Sequence, residues 1–150
     1  MSKFAATTYP HPEVIDLHSH FAGRRFDANA SRGTSPAQKE FWDNVSHGLT
    51  STDALITSIA SGRISGRVIN TSPVFLRVPG ENVALDTVRI VNDSIAALTT
   101  RHPAVVYGLA KVDAHGGEAS AQESVRAAKE LGLGGVFVKS AKGRSEEVTA

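Results

Sequence analysis

Polar and apolar residues alternate through VIDLHSH, residues 14 to 20, whereas later stretches repeat their apolar positions every three or four residues, predicting strands and helices in turn. In the first strand this alternation puts Ile15 and Leu17 on one face and Val14, Asp16, His18 and His20 on the other. TSTDALITSIASGRI reads as a helix, with caps offered by residues 50 to 52 and with Leu55, Ile56 and Ile59 as its apolar positions. GRVINTSP predicts a short strand, Arg67 to Thr71, stopped by Pro73. The clearest stripe, Leu85, Val88, Val91, Ile95 and Leu98, predicts a long helix that Pro103 closes. AVVYGLAKVD predicts a third strand over Val105 to Val112. Ser120 and Glu123 read as the capping box of a helix running through Leu131, with Gly132 as its left-handed terminator. A fourth strand, Gly135 to Ser140, ends the pattern.

Strands alternating with helices predict an α/β fold with a parallel sheet and helical crossovers. After the first loop the repeat returns about every 30 to 40 residues, close to the ~31 residues per unit of a (β/α)8 barrel of about 250 residues. Four units amount to half such a barrel. Between the first strand and the first helix, residues 21 to 50 carry Gly, Ser, Asn and Pro without sustained periodicity. A loop of that length in a compact domain is usually functional, so it reads as a lid or substrate loop.

Composition narrows the chemistry. At 150 residues and 41% hydrophobic, the chain is of a size for one domain, residues 1–150. Its 16 basic and 15 acidic residues give a formal net charge of +1 and are scattered, which argues against nucleic acid and anionic membrane and for a small-molecule partner. The absence of cysteine excludes disulfides, thiolate metal sites and a thiol nucleophile, leaving His, Asp, Glu and Lys for any metal. No apolar leader or membrane span is read in the chain, which points to the cytoplasm.

The chemical face of the first strand is where those residue types gather. His18 and His20 have Cα atoms about 6.6 Å apart on one face of an ideal strand. Imidazoles inclined toward each other from there can share an ion at the ~2.0–2.1 Å of zinc–nitrogen bonds. Asp16, one step deeper, can accept an imidazole N–H or hydrogen-bond the backbone and so fix ring orientation. An HxH pair arises readily by chance. Its setting at the C-terminal end of a strand, after a same-face aspartate and before a long loop, is what points to metal.

IDLHSHF at Ile15 to Phe21, VINTSPVF at Val68 to Phe75, NDSIAALTTRHPAVVYGLAKVD at Asn92 to Asp113 and AAKELGLGGVFVKS at Ala127 to Ser140 together resemble the amidohydrolase superfamily. The branch they resemble is the amidohydrolase-related one that includes aminocarboxymuconate semialdehyde decarboxylase and the resorcylate-type decarboxylases. The resemblance implies a metal-dependent TIM-type barrel with His18 and His20 as ligands to a divalent metal, zinc first. It implies hydrolysis of a C–N or C–O bond, or decarboxylation of a small carboxylic acid. In that family a further histidine ligand comes from the fifth strand, a catalytic histidine follows it, and an aspartate ends the eighth. The chain stops after the fourth strand, so it reads as the N-terminal half of a longer enzyme, inactive by itself, with no catalytic residue identified within it. A homo-oligomer is left open. The alternative is a catalytically silent half-barrel acting as an assembly or binding module.

Other candidates are weaker. Lys139 ends the fourth strand, where other branches of the superfamily use a carboxylated lysine to bridge two metals; a solvated lysine is the plainer reading. Arg24 and Trp42, in the long loop with Arg25, Phe26 and Phe41, offer a fork for carboxylates and a flat apolar wall. Ser72, at the end of the second strand, joins them as a substrate-binding candidate. His115 is a loop histidine on the same rim, and His102 closes a helix where a cation suits the dipole. His11 and His47 are unassigned. Gly134, Gly135 and Gly143 do not make a phosphate loop.

Overall fold

The structure is a computed structural model, and it describes residues 14–23, 35–72, 83–114 and 116–138. Along these residues run β1 (Ile15–His20), α1 (Pro36–Thr50), α2 (Thr52–Ser61), β2 (Gly66–Asn70), α3 (Leu85–Arg101), β3 (Val106–Gly108), β4 (Ala110–Lys111), α4 (Gly117–Lys129) and β5 (Val136–Phe137). Every strand pairing is parallel, which makes the fold α/β. One sheet has the order β1-β2-β3 and the other pairs β4 with β5.

The predicted third strand is one path that changes neighbours at Leu109. Leu109 N–H donates to Ile69 O of β2 at 2.9 Å, whereas the next residue, Ala110, donates to Gly135 O ahead of β5 at 2.9 Å. The strand therefore pairs on one side early and on the other side late, and the sheet splits toward its C-terminal end.

The α3 stripe is buried at Val88, Val91, Ile95 and Leu98, and the last three pack in one core cluster with Ile69, Val106 and Ala110 of the sheet. Full burial of each such aliphatic chain contributes about 1.5–3 kcal/mol. Asn92 is also buried within that stripe. Gly108 makes the close approach possible, because a Cβ there would meet Ile95 Cγ2 at 2.5 Å and Leu133 Cδ2 at 2.8 Å.

Two expectations change. Residues 36–50 of the expected loop form α1, started by a capping box in which Ser35 and Gln38 hold each other's backbone N–H, with Pro36 in the first turn. No residue of α1 is fully buried, and its apolar stripe, Trp42, Val45 and Leu49, is short and only half-buried, which left it inside the expected loop. The expected capping box at Ser120 and Glu123 is not one: α4 begins at Gly117, and Glu123 is a buried carboxylate inside the helix. Gly132 does adopt the left-handed conformation beyond α4, with φ at +66°.

Candidate metal centre

The parallel pairing of β1 with β2 sets Ile15 opposite Gly66 and Asp16 opposite Arg67, then Ser19 opposite Ile69 and His20 opposite Asn70. Between those pairs β1 has one residue more than β2, a bulge over Leu17 and His18. Register partners share a face, and Arg67 and Asn70, three residues apart, take opposite faces. Asp16 therefore lies on the face opposite His20, not beside it as unbroken alternation predicts. The inserted residue turns the strand over between them.

Asp16 holds this bulge from the helix side. Its carboxylate accepts from the His18 N–H at 3.1 Å and the Ser19 hydroxyl at 3.0 Å, and Arg67 Nε lies 3.1 Å away. Arg67 in turn donates to Ser58 Oγ of α2 at 2.7 Å. The His18 N–H bond, opposed by burial and helped by Ser19 and Arg67, holds the Asp16 carboxyl below its ordinary range. The aspartate thus fixes the backbone that carries the histidines; it does not hold their rings.

On the helix-free face the two rings meet. His18 and His20 stand edge to face with centroids 4.8 Å apart. Two imidazoles on one tetrahedral ion, with bonds of ~2.0–2.1 Å, would have ring centres about 5 Å apart. The observed centroid separation is close to that value. His20 Nδ1 lies 2.7 Å from Asn70 Oδ1, so Nδ1 carries the proton, and the lone pair suited to a metal sits on Nε2. Beyond His20, Phe21 N–H donates to Asn70 O at 2.8 Å and the Thr71 hydroxyl to Phe21 O at 2.6 Å, knitting the ends of β1 and β2 together.

Phe137 of β5 closes the group, with its ring centroid 5.8 Å from His18 and 6.0 Å from His20. β1 and β5 are separated by β2 and the β3–β4 path, which in a flat sheet would put them about 14 Å apart. Ring contact across that gap requires a strongly curled sheet, with the histidines and Phe137 on its concave side. Lys111, the register partner of Phe137, is 3% exposed.

The remaining predicted residues are dispersed. Trp42 stacks edge to face on Phe41 along α1, with centroids 4.9 Å apart, and Ser72 follows Thr71 at the exit of β2. His102 caps the C-terminus of α3, and His47 lies in the last turn of α1. Arg24, Arg25, Phe26, His11, His115, Lys139 and Gly143 lie outside the described residues. Among the described residues no group of three or more His, Asp or Glu side chains is placed to hold a metal. Sequence reasoning missed Asn70, Phe137 and Lys111. Asn70 had a legible signal, since it ends the strand beside the histidine strand with a polar group on an otherwise apolar segment.

Comparison with solved structures puts this half-curled sheet in context. It superposes on 2,6-dihydroxybenzoate decarboxylase from Rhizobium with a TM-score of 0.71 at 19% identity, covering 93% of this chain and 42% of that one. The parallel α/β fold is that of half of a TIM-type barrel. A 5-carboxyvanillate decarboxylase from Novosphingobium aromaticivorans, with bound manganese and 3-methoxy-4-hydroxy-5-nitrobenzoic acid, gives a TM-score of 0.72 at 21% identity over 88% of this chain and 43% of that one. A dihydroxybenzoic acid decarboxylase from Polaromonas, with manganese and 2-nitroresorcinol, gives 0.70 at 23% over 86% and 39%. The chain thus spans about two fifths of these relatives, at 42%, 43% and 39% of their lengths. No family model and no curated protein matches it. Among the described residues no helix is long and apolar enough to cross a membrane.

Proposed function

We propose that the chain is the histidine-bearing half of a metal-dependent enzyme of the amidohydrolase type, with His18 and His20 holding one divalent cation through Nε2. The observation that carries this reading is the ring pair itself: 4.8 Å between centroids on the concave side of a curled parallel sheet, with His20 Nδ1 engaged by Asn70. Zinc suits imidazole ligands, and manganese is the ion present in two of the similar structures. Two imidazoles are fewer protein ligands than a catalytic zinc usually has, so further ligands complete the site. When bound, the cation would polarise a substrate oxygen.

The chain's own residues set the conditions for that chemistry. Asp16 and Arg67 hold the bulge that aims His18, Asn70 sets the His20 tautomer, and Phe137 packs its ring against both imidazoles. Decarboxylation of a small hydroxylated aromatic acid is the first reaction, by likeness to the similar structures. Hydrolysis of a C–N or C–O bond is the second. Arg24, Trp42 and Ser72 are the substrate-side candidates, and Lys139 is the candidate bridging ligand. The alternative is a silent assembly module, favoured by the open face on which Leu17 is 71% and Tyr107 43% exposed.

Histidine-selective 15N NMR during a zinc titration tests the reading. The Nε2 resonances of His18 and His20 should shift together and saturate at one equivalent. Two rings that ignore zinc, in a chain that self-associates without metal, would favour the module.

A further inference from the structure

Two buried polar side chains, Asn70 and Lys111, share the face of the sheet that carries the His20 ring. Asn70 is 0% exposed; its Oδ1 serves His20, and its Nδ2 donor has no hydrogen-bond partner. Native cores rarely leave such a donor unmatched, and one that persists marks a place for an acceptor from outside the chain. On the other side of the split, Lys111 shares its face with Phe137 and so with the histidine rings, and its ammonium turns over the strand end to donate to Val112 O. The strand end that carries it is built with care. With β2 no longer alongside, Asn92 replaces the missing strand by accepting from Lys111 N–H at 2.7 Å and donating to Lys111 O at 3.0 Å.

Resting on the metal reading above, we propose that Asn70 and Lys111 form a carboxylate-binding subsite beside the histidine pair. A ligand carboxylate oxygen accepts from Asn70 Nδ2, and the Lys111 ammonium faces the ligand's negative charge. Asn70 then bonds the ligand and His20 with the two ends of one amide, so that the carboxylate is oriented relative to the imidazole that takes the metal. Charge-assisted bonds are stronger than neutral ones, so the subsite selects carboxylates over neutral molecules of the same shape.

The test compares 2,6-dihydroxybenzoate with resorcinol, the same ring and hydroxyls without the carboxylate. Calorimetric titrations would use the wild-type chain, Asn70→Asp, Lys111→Met and Lys111→Arg, each with manganese and in chelator. Manganese binding is read separately by electron paramagnetic resonance, and circular dichroism checks folding. Asn70→Asp keeps the acceptor for His20 and loses the donor. Wild type should prefer the carboxylate by about tenfold or more; the preference should collapse in Asn70→Asp and Lys111→Met and persist in Lys111→Arg. Equal affinities in wild type and both disruptive variants, or no preference in wild type, would overturn the subsite. Manganese binding without the preference would leave the metal reading standing alone. A preference that depends on both residues in a chain that binds no manganese would leave the subsite standing and the metal reading fallen.

Discussion

Replacing Glu123 with alanine removes the anion at the centre of a buried network. Its carboxylate accepts from Arg126 Nε at 2.8 Å and Nη2 at 2.9 Å, and from Asn92 Nδ2 at 2.7 Å, with Arg89 Nε at 3.4 Å. The Glu123 side chain has no exposed surface, while those of Arg126 and Arg89 are 25% and 46% exposed. Removing one partner of a fully buried ion pair costs about 3–5 kcal/mol. Here both guanidiniums reach water and Arg126 keeps Asp93 at 2.9 Å, so the expected loss is smaller, about 2–3 kcal/mol. That corresponds to a fall in Tm of roughly 4–12 °C for a chain of this size. Burial alone pushes the Glu123 carboxyl up, but the bonds from Arg126, Asn92 and Arg89 outweigh it and hold it below its ordinary 4.5. A carboxylate depressed in the folded state contributes fully above its unfolded value and loses that contribution as pH falls through the folded value. Urea denaturation of wild type and Glu123→Ala across pH 3 to 7 should therefore show a gap that is widest near neutrality and narrows in acid. A loss below about 0.5 kcal/mol at pH 7, within the range of ordinary surface substitutions, or a gap that does not change with pH, would refute this reasoning.

Asn92→Ala removes the two bonds that Asn92 makes to the Lys111 backbone in the core and should cost about 2–4 kcal/mol, with faster hydrogen exchange at the Lys111 amide as the specific readout. Gly108→Ala drives a Cβ against Ile95, Leu133 and Thr99 and should cost about 1–3 kcal/mol by thermal denaturation, even though alanine suits a strand better than glycine. Asp16→Ala removes the acceptor that holds the bulge, and should lower stability by about 1–2 kcal/mol while separating the His18 and His20 ring resonances from each other.

The elements that bury an apolar face were legible because burial writes a period into the sequence. Val88, Val91, Ile95 and Leu98 announce α3, and the strand-helix order announces the parallel sheet. What escaped was a weaker or a non-local signal. α1 buries no residue fully, and its short stripe of Trp42, Val45 and Leu49 after the Ser35, Pro36, Gln38 start was passed over. The bulge at Leu17 and His18 is a register event, visible only once β2 lies beside β1, and it moves Asp16 away from the rings it was expected to face. The Asn92 and Glu123 network was hidden for a related reason. Each residue reads locally as an ordinary polar helix position, and its meaning comes from Lys111 and Arg126, brought together by the packing of α3 and α4. The histidine pair was legible as residues, whereas its ring spacing, its tautomer and its contact with Phe137 needed the curl of the sheet.

Whether His18 and His20 bind metal is tested most directly by elemental analysis of the chain purified without chelator, beside a His18→Ala/His20→Ala double variant shown by circular dichroism to be folded. The metal reading predicts zinc or manganese near one equivalent in the wild type and none in the double variant. Equal metal in both, or none in a wild type offered excess zinc and manganese, would contradict it.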